Sequence, residues 1–209
     1  MATGKRVYRS PLRAEQAQRT RAGVLDAAGR CFVARGYAGT TMRDIAEAAG
    51  VSVQTVFGQG SKAALLLACV DQAVVGDDES EPMIRRDAVV RMLAAKDKAE
   101  KLRHLREIAT VTVPRTGPLL RAFASAAAVD PEIAAAWATS ERRRRQDYRA
   151  VVESFAPWLR TELTVDRAAD VFWTVFDDPT ARTLVDDCGW SLAEYCDWLV
   201  DSFDRLLLR

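Results

Sequence analysis

The chain predicts an all-α protein: an N-terminal three-helix unit built on a helix-turn-helix, followed by a larger helical bundle. Three observations carry this expectation. Apolar residues recur at helical spacing along most of the 209 residues, and no stretch of four or more alternates as a strand would. Gly50-Val51-Ser52 interrupts one helical run with turn and cap chemistry. An acidic stretch, Gly-Asp-Asp-Glu-Ser-Glu-Pro at 76–82, marks the clearest break in composition. The expected organisation is a basic, disordered tail over 1–14, a helix-turn-helix domain over 15–62 and a C-terminal helical domain over 63–209.

The elements follow from local chemistry. From Glu15 to Arg35, Leu25, Ala28 and Phe32 fall at i, i+3 and i+7, and Gly36 suits a helix end. Thr41-Met42-Arg43-Asp44 reads as a capping box with Asp in place of the usual Glu, opening a helix that stops at Gly50. Ser52 is a natural N-cap for a third helix, which runs to about Phe57. Lys62 starts a fourth. Beyond the acidic stretch, Pro114, Gly117, Pro118, Pro131, Pro157, Pro179 and Gly189 are expected to break the bundle into its helices. The last helix, about Ser191 to Leu208, carries Leu192, Tyr195, Cys196, Leu199, Phe203 and Leu206 on one stripe.

Composition narrows the function. Apolar residues make up 49% and charged residues 28%, enough to form a core without disulfides or metals. Cys31, Cys69, Cys188 and Cys196 form no C-x-x-C pair and read as small buried hydrophobes in a reducing compartment. No secretory leader and no run of about 18 apolar residues is visible, so a cytoplasmic protein with no membrane partner is expected. The net charge of +1 hides an asymmetry. Residues 1–62 hold ten Lys and Arg against four acids, whereas the remainder holds 20 against 25. A basic head on an acidic body suits a polyanion partner.

The stretch from Thr40 to Phe57 supplies the reading head. Ile45, Ala49 and Val56 furnish the apolar contact between two short crossing helices, Ala46 lets them approach, and Gly50 permits the positive φ of the turn. The second of these helices is expected in the major groove of double-stranded DNA, presenting Ser52, Val53, Gln54, Phe57 and Gln59. Gln54 is the best base reader, because an amide bonds adenine through two edge atoms, and Val53 suits a thymine methyl. Thr41, Arg43, Thr55 and Lys62 read as phosphate contacts. Lys5, Arg6 and Arg9 of the tail are placed to reach the adjacent groove or backbone.

These residues resemble the TetR (tetracycline-repressor-like) family of bacterial regulators. The resemblance runs from Arg21-Ala22-Gly23-Val24-Leu25-Asp26-Ala27-Ala28 through Gly36-Tyr37, Thr41, Ile45-Ala46, Gly50-Val51-Ser52 and Thr55-Val56-Phe57 to Ser61-Lys62-Ala63-Ala64-Leu65. In the C-terminal part, 168–173, Gly189-Trp190-Ser191 and Trp198-Leu199 are similar to a subset of the family. The resemblance implies a homodimer that binds a palindromic operator, usually as a repressor, and is released by a small-molecule effector. Two departures stand out. Phe57 replaces the usual tyrosine, whose hydroxyl commonly bonds a phosphate. The segment Phe57-Gly58-Gln59-Gly60 is one residue short, which is expected to loosen the exit from the recognition helix and shift the register of the next helix. A helical adaptor with weakened DNA binding is the alternative these departures suggest.

In the C-terminal domain, Phe123, Trp137, Tyr148, Phe172 and Trp173 are candidates to line a ligand pocket, since pockets between bundle helices are apolar and aromatic. The helix from about Val165 to Phe176 is apolar nearly all round and must bury more than one face. Val171, Val175 and Phe176, with Tyr195, Trp198 and Leu199 of the last helix, are therefore expected in a dimer interface. Arg142 to Arg145 read as a solvated helix braced by Glu141 and Asp147. His104 has no nucleophile beside it, and Asp177, Asp178, Asp186 and Asp187 read as loop and cap acids. The chain carries no P-loop, no G-x-S-x-G and no H-E-x-x-H, so neither catalysis nor a cofactor or metal is expected.

Overall fold

The computed structural model describes the backbone of residues 11–75 and 87–209, and the side chains of 15–73 and 87–209. The tail residues Lys5, Arg6 and Arg9 and the acidic stretch 76–82 lie outside these. The described residues form α-helices and helical turns with no strand. They divide into two compact units, the first ending at Cys69 and the second beginning at Val70. The expected boundary lay at residue 62, at the start of the helix that contains this division.

The first unit holds α1 (Pro11–Arg35), α2 (Met42–Ala49), α3 (Val53–Phe57) and the first half of α4 (Lys62–Val75). Helix α1 starts at Pro11, four residues before the expected Glu15, which shortens the expected tail. A proline is tolerated in a first helical turn because its missing N–H has no intrahelical partner there. Gly36 ends α1 at φ 70°, and its N–H donates to Phe32 O. Val24, Ala28, Phe32, Ile45, Val56 and Leu65, from all four of these helices, are fully buried and close the core of the unit. Burial contributes roughly 1.5–3 kcal/mol for each large side chain among them.

The second unit contains α5 (Asp87–Ala94), α6 (Lys98–Ala127), α7 (Pro131–Glu153), α8 (Val165–Val175), the short α9 (Asp178–Arg182) and α10 (Leu192–Leu207). A 3₁₀ turn at Ala156–Trp158 carries Pro157, and a π-type turn spans Thr183–Asp187. Asp130 caps α7 ahead of Pro131, and Ser191 with Glu194 forms a capping box on α10. Pro114, Gly117 and Pro118 do not break the chain as expected: all three lie inside α6. Each proline removes one ladder hydrogen bond, worth about 3 kcal/mol with its steric cost in an isolated helix. Packing overrides that preference. Leu105 and Ala109 before the prolines, and Leu120, Phe123 and Ala126 after them, are all buried. Thr112 and Thr116 also bond back to the carbonyls of Ile108 and Thr112, both at 2.9 Å.

The core of this unit is aromatic. Phe155, Phe172 and Phe203 pack with centroids 5.0 Å apart along two of their three edges. An antiparallel bridge between Leu159 and Leu208 ties the chain end to the turn after α7. Lys101 is 3% exposed, and its ammonium donates to the carbonyls of Met92 and Leu93 near the end of α5. Three of the residues expected in a dimer interface belong to this core instead: Tyr195, Leu199 and Phe176 are buried within the chain. A side chain already sealed inside one subunit has no face left for another. Val171, Val175 and Trp198 stay half-buried. No helix among the described residues is long and apolar enough to cross a membrane.

Candidate functional site

Helix α3 is held on three sides by backbone chemistry. Thr41 caps α2 through a reciprocal capping box: its hydroxyl accepts from Asp44 N–H at 3.1 Å, and the Asp44 carboxylate accepts from Thr41 N–H at 2.8 Å. These bonds to Thr41, with the guanidinium of Arg35 at 2.9 Å, hold the Asp44 carboxyl below its ordinary value. Gly50 takes φ 67° and turns the chain, and Val51 N–H donates to Ala46 O. Ser52 then caps α3 by accepting from Thr55 N–H, and its hydroxyl also meets that of Thr55 at 2.8 Å. Val56 faces inward and is fully buried. Ser52, Val53, Gln54 and Phe57 are exposed together, Phe57 to 60%. An exposed phenylalanine beside an exposed valine and amide makes a surface that water does not favour.

The other expected contact residues are distributed less evenly. Thr41 and Arg43 are exposed at the start of α2, and Thr55 is half-buried behind Ser52. Gln59 is half-buried, and its carbonyl accepts from Arg21 at 3.3 Å. Lys62 is committed inward. Its ammonium donates to the carbonyls of Tyr37 and Thr40, both at 3.0 Å, and sits 4.1 Å over the Tyr37 ring. It therefore clamps the α1–α2 turn, a role beyond the expected phosphate contact. Sequence reasoning missed this clamp and its companion Thr40, a fully buried threonine whose hydroxyl lies within bonding distance of the carbonyls of Cys31 and Gly36.

The shortened exit from α3 is well ordered by hydrogen bonds. Gly58, Gln59 and Gly60 donate in turn to the carbonyls of Gln54, Val56 and Phe57. Gly60 takes φ 137°, where a Cβ would also come within 3.1 Å of Ala64. Glycine thus compensates for the missing residue, and Ser61 starts the next helix by accepting from Ala64 N–H. The exit is not loose, contrary to the expectation from its length.

The second unit holds a partly open cavity of about 130 Å³ between α5, α6, α7, α8 and α10. Of the five expected aromatics, Tyr148 and Phe172 line it. Phe123 and Trp137 instead pack edge to face against each other at 5.0 Å, outside the cavity, and Trp173 covers Arg144 and Arg145. Phe176, expected at an interface, lines it as well. Arg144 and Asp147 are the charged side chains in the wall. The expectation of a solvated arginine run braced by Asp147 fails at Arg144. Its guanidinium is packed between Trp137 and Trp173, 5.5 and 4.8 Å from their rings. Helical spacing puts residues 144, 147 and 148 on one face, but which face is inward was not legible before packing. The expected buried thiols include Cys31, Cys69 and Cys196, while Cys188 is exposed. Asp177 caps α9 and Asp178 pairs with Arg121 at 3.0 Å, as cap and loop acids do.

A capped two-helix turn with an exposed second helix, on an all-helical scaffold, is the arrangement of a helix-turn-helix protein. The sequence comparisons agree. The family described as "Bacterial regulatory proteins, tetR family" matches residues 24–69. The HTH-type transcriptional regulator TtgR of Pseudomonas putida is 39% identical over 80 residues, covering 33% of this chain and 38% of that protein. The probable regulator ArpR of Pseudomonas putida matches to the same extent. The chain thus aligns with less than half the length of these curated relatives. Its fold is similar along nearly its whole length to NalD of Pseudomonas aeruginosa, the secondary repressor of the MexAB-OprM multidrug efflux pump (TM-score 0.65, 19% identity, 92% of this chain and 98% of that one). It is also similar to a protein assigned as a transcriptional regulator from Saccharomonospora viridis, solved in complex with choline (TM-score 0.70, 19% identity, 91% and 98%). Over residues 24–69, within its N-terminal unit, the chain is similar to the TetR family of bacterial regulatory proteins.

Proposed function

We propose that this protein is a dimeric, ligand-responsive DNA-binding regulator acting as a repressor. Helix α3 reads a palindromic operator in the major groove, and a small molecule in the cavity of the second unit releases it. The observation that carries this reading is the exposure of Ser52, Val53, Gln54 and Phe57 on a short, capped helix. Gln54 reads a base edge, Val53 meets a thymine methyl, and Thr41, Arg43 and Thr55 position the backbone. Phe57 takes part through apolar contact only, since it has no hydroxyl to offer a phosphate. The half-buried Val171, Val175 and Trp198 are the remaining candidates for the dimer contact. Both repressor action and effector release follow the pattern of the regulators it resembles, and the protein works in the cytoplasm.

Selection from a random duplex pool, followed by titration of the winner against salt, tests the reading. The expected result is an enriched palindrome with half-sites about one helical turn apart and affinity that falls steeply with salt, because neutralised phosphates release counterions. Gln54→Ala should cost about 1–3 kcal/mol and relax preference at one position per half-site. Absence of enrichment, with only weak duplex binding, would replace this reading by that of a helical adaptor.

A further inference from the structure

The cavity wall is mostly aliphatic and aromatic, so its charged groups decide what enters. Two are present. Arg144 already has company: Asp177 lies 3.7 Å from its guanidinium, and two indole faces flank it. Its buried Nε has no hydrogen-bond partner among the described residues. Asp147 is different. It is half-buried three residues further along α7, and no hydrogen bond or ion pair engages its carboxylate among the described residues. Desolvation raises its pKa, as expected for a carboxylate that has lost water without gaining a cation. Nearby, the rings of Tyr148, Phe172 and Phe176 stand 4.6 and 4.8 Å apart in sequence along the wall. Such faces attract cations and accept flat apolar groups equally.

We propose that the cavity takes a small aromatic or aliphatic molecule bearing one cationic amino group, with Asp147 as the residue that receives the charge. The proposal rests on the effector-binding reading above and specifies its ligand class. An apolar cavity of about 150 Å³ holds a benzene ring, so this partly open one suits a ligand built on a single small ring or chain. The ammonium supplies the counter-charge that Asp147 lacks. An anionic ligand would meet an unpaired carboxylate and an arginine whose charge is already answered.

The test is calorimetric titration of the full chain with three near-isosteres: 2-phenylethylamine, 2-phenylethanol and phenylacetate. The amine should bind at least about tenfold more tightly than the alcohol, since a partly buried charge gains its partner only from the amine. Phenylacetate should bind most weakly. Asp147→Asn should reduce amine binding to the level of the alcohol and leave the alcohol unchanged. Equal binding of amine and alcohol, tightest binding of phenylacetate, retained amine preference in the variant, or binding of none of the three would each overturn the proposal. The wild-type series decides even if the variant does not fold. Operator selection separates this from the regulatory reading: a chain that selects a palindrome but ignores the amine loses only the ligand class, whereas one that binds the amine but selects no duplex keeps its cavity site and loses its role as a DNA reader.

Discussion

Among single residues, the most informative positions are those that spend a polar group inside the protein. Lys62 has the sequence context of a phosphate contact, yet its ammonium bonds two carbonyls of the α1–α2 turn. Lys62→Ala should therefore lower the stability of the first unit by about 1–3 kcal/mol, as loss of charged hydrogen bonds does. Urea unfolding without any DNA would show it, and an unchanged midpoint would return Lys62 to the role of pure phosphate contact. Tyr195 shows the opposite situation. Its ring is fully buried but its hydroxyl has no hydrogen-bond partner among the described residues, and burial pushes its pKa up. Tyr195→Phe removes a group that folding desolvates without reward, so a stabilisation of about 1 kcal/mol is expected in thermal melts. A loss of stability would mean that the hydroxyl has found a partner, such as an internal water.

Among the elements, α2 and α3 are too short to persist alone, so caps and packing hold them. Ser52→Ala should cost about 1 kcal/mol by removing the acceptor for Thr55 N–H. The cap on α2 makes stability depend on pH in a definite direction. Asp44 has a folded pKa below its ordinary 3.8, because its carboxylate receives bonds from Thr41 and the charge of Arg35. Its contribution is thus complete above that ordinary value and is lost as pH falls through the lower, folded one. Wild type should lose more stability than Asp44→Asn over that acid range, and parallel pH profiles would refute the link. Helix α6 is governed by packing rather than caps. Pro114 and Pro118 are strong local breakers, yet buried residues on both sides of them keep one 30-residue helix.

For the molecule as a whole, the proposed dimer depends on the second of the two units. With Tyr195, Leu199 and Phe176 inside the core, the expected interface contracts to Val171, Val175 and Trp198. Val175→Asp should shift the chain from dimer to monomer in sedimentation experiments, because a charge placed in an apolar contact is left without a partner. A variant that remains dimeric would put the contact elsewhere. A dimer also predicts a melting temperature that rises with protein concentration.

The helical class, the capped turn at Thr41–Asp44, the glycine at Gly50, the cap at Ser52 and the outward set on α3 were all legible in the order of the residues. They follow from rules that act within a few positions: a hydroxyl reaches the third N–H ahead, a glycine accepts positive φ, and one helical face repeats every three or four residues. The match to known regulators over 24–69 rests on the same short-range pattern. Packing between distant segments settled the remainder. It carried α6 through two prolines, turned Lys62 inward, restored the short exit through Gly60, and moved three expected interface residues into the core. It also chose which face of α7 looks inward, and so brought Arg144, Asp147 and Tyr148 to one cavity. The reason is that an apolar stripe announces that a face will be buried but not against what, and a charge acquires its meaning only from the partners that packing brings to it or withholds.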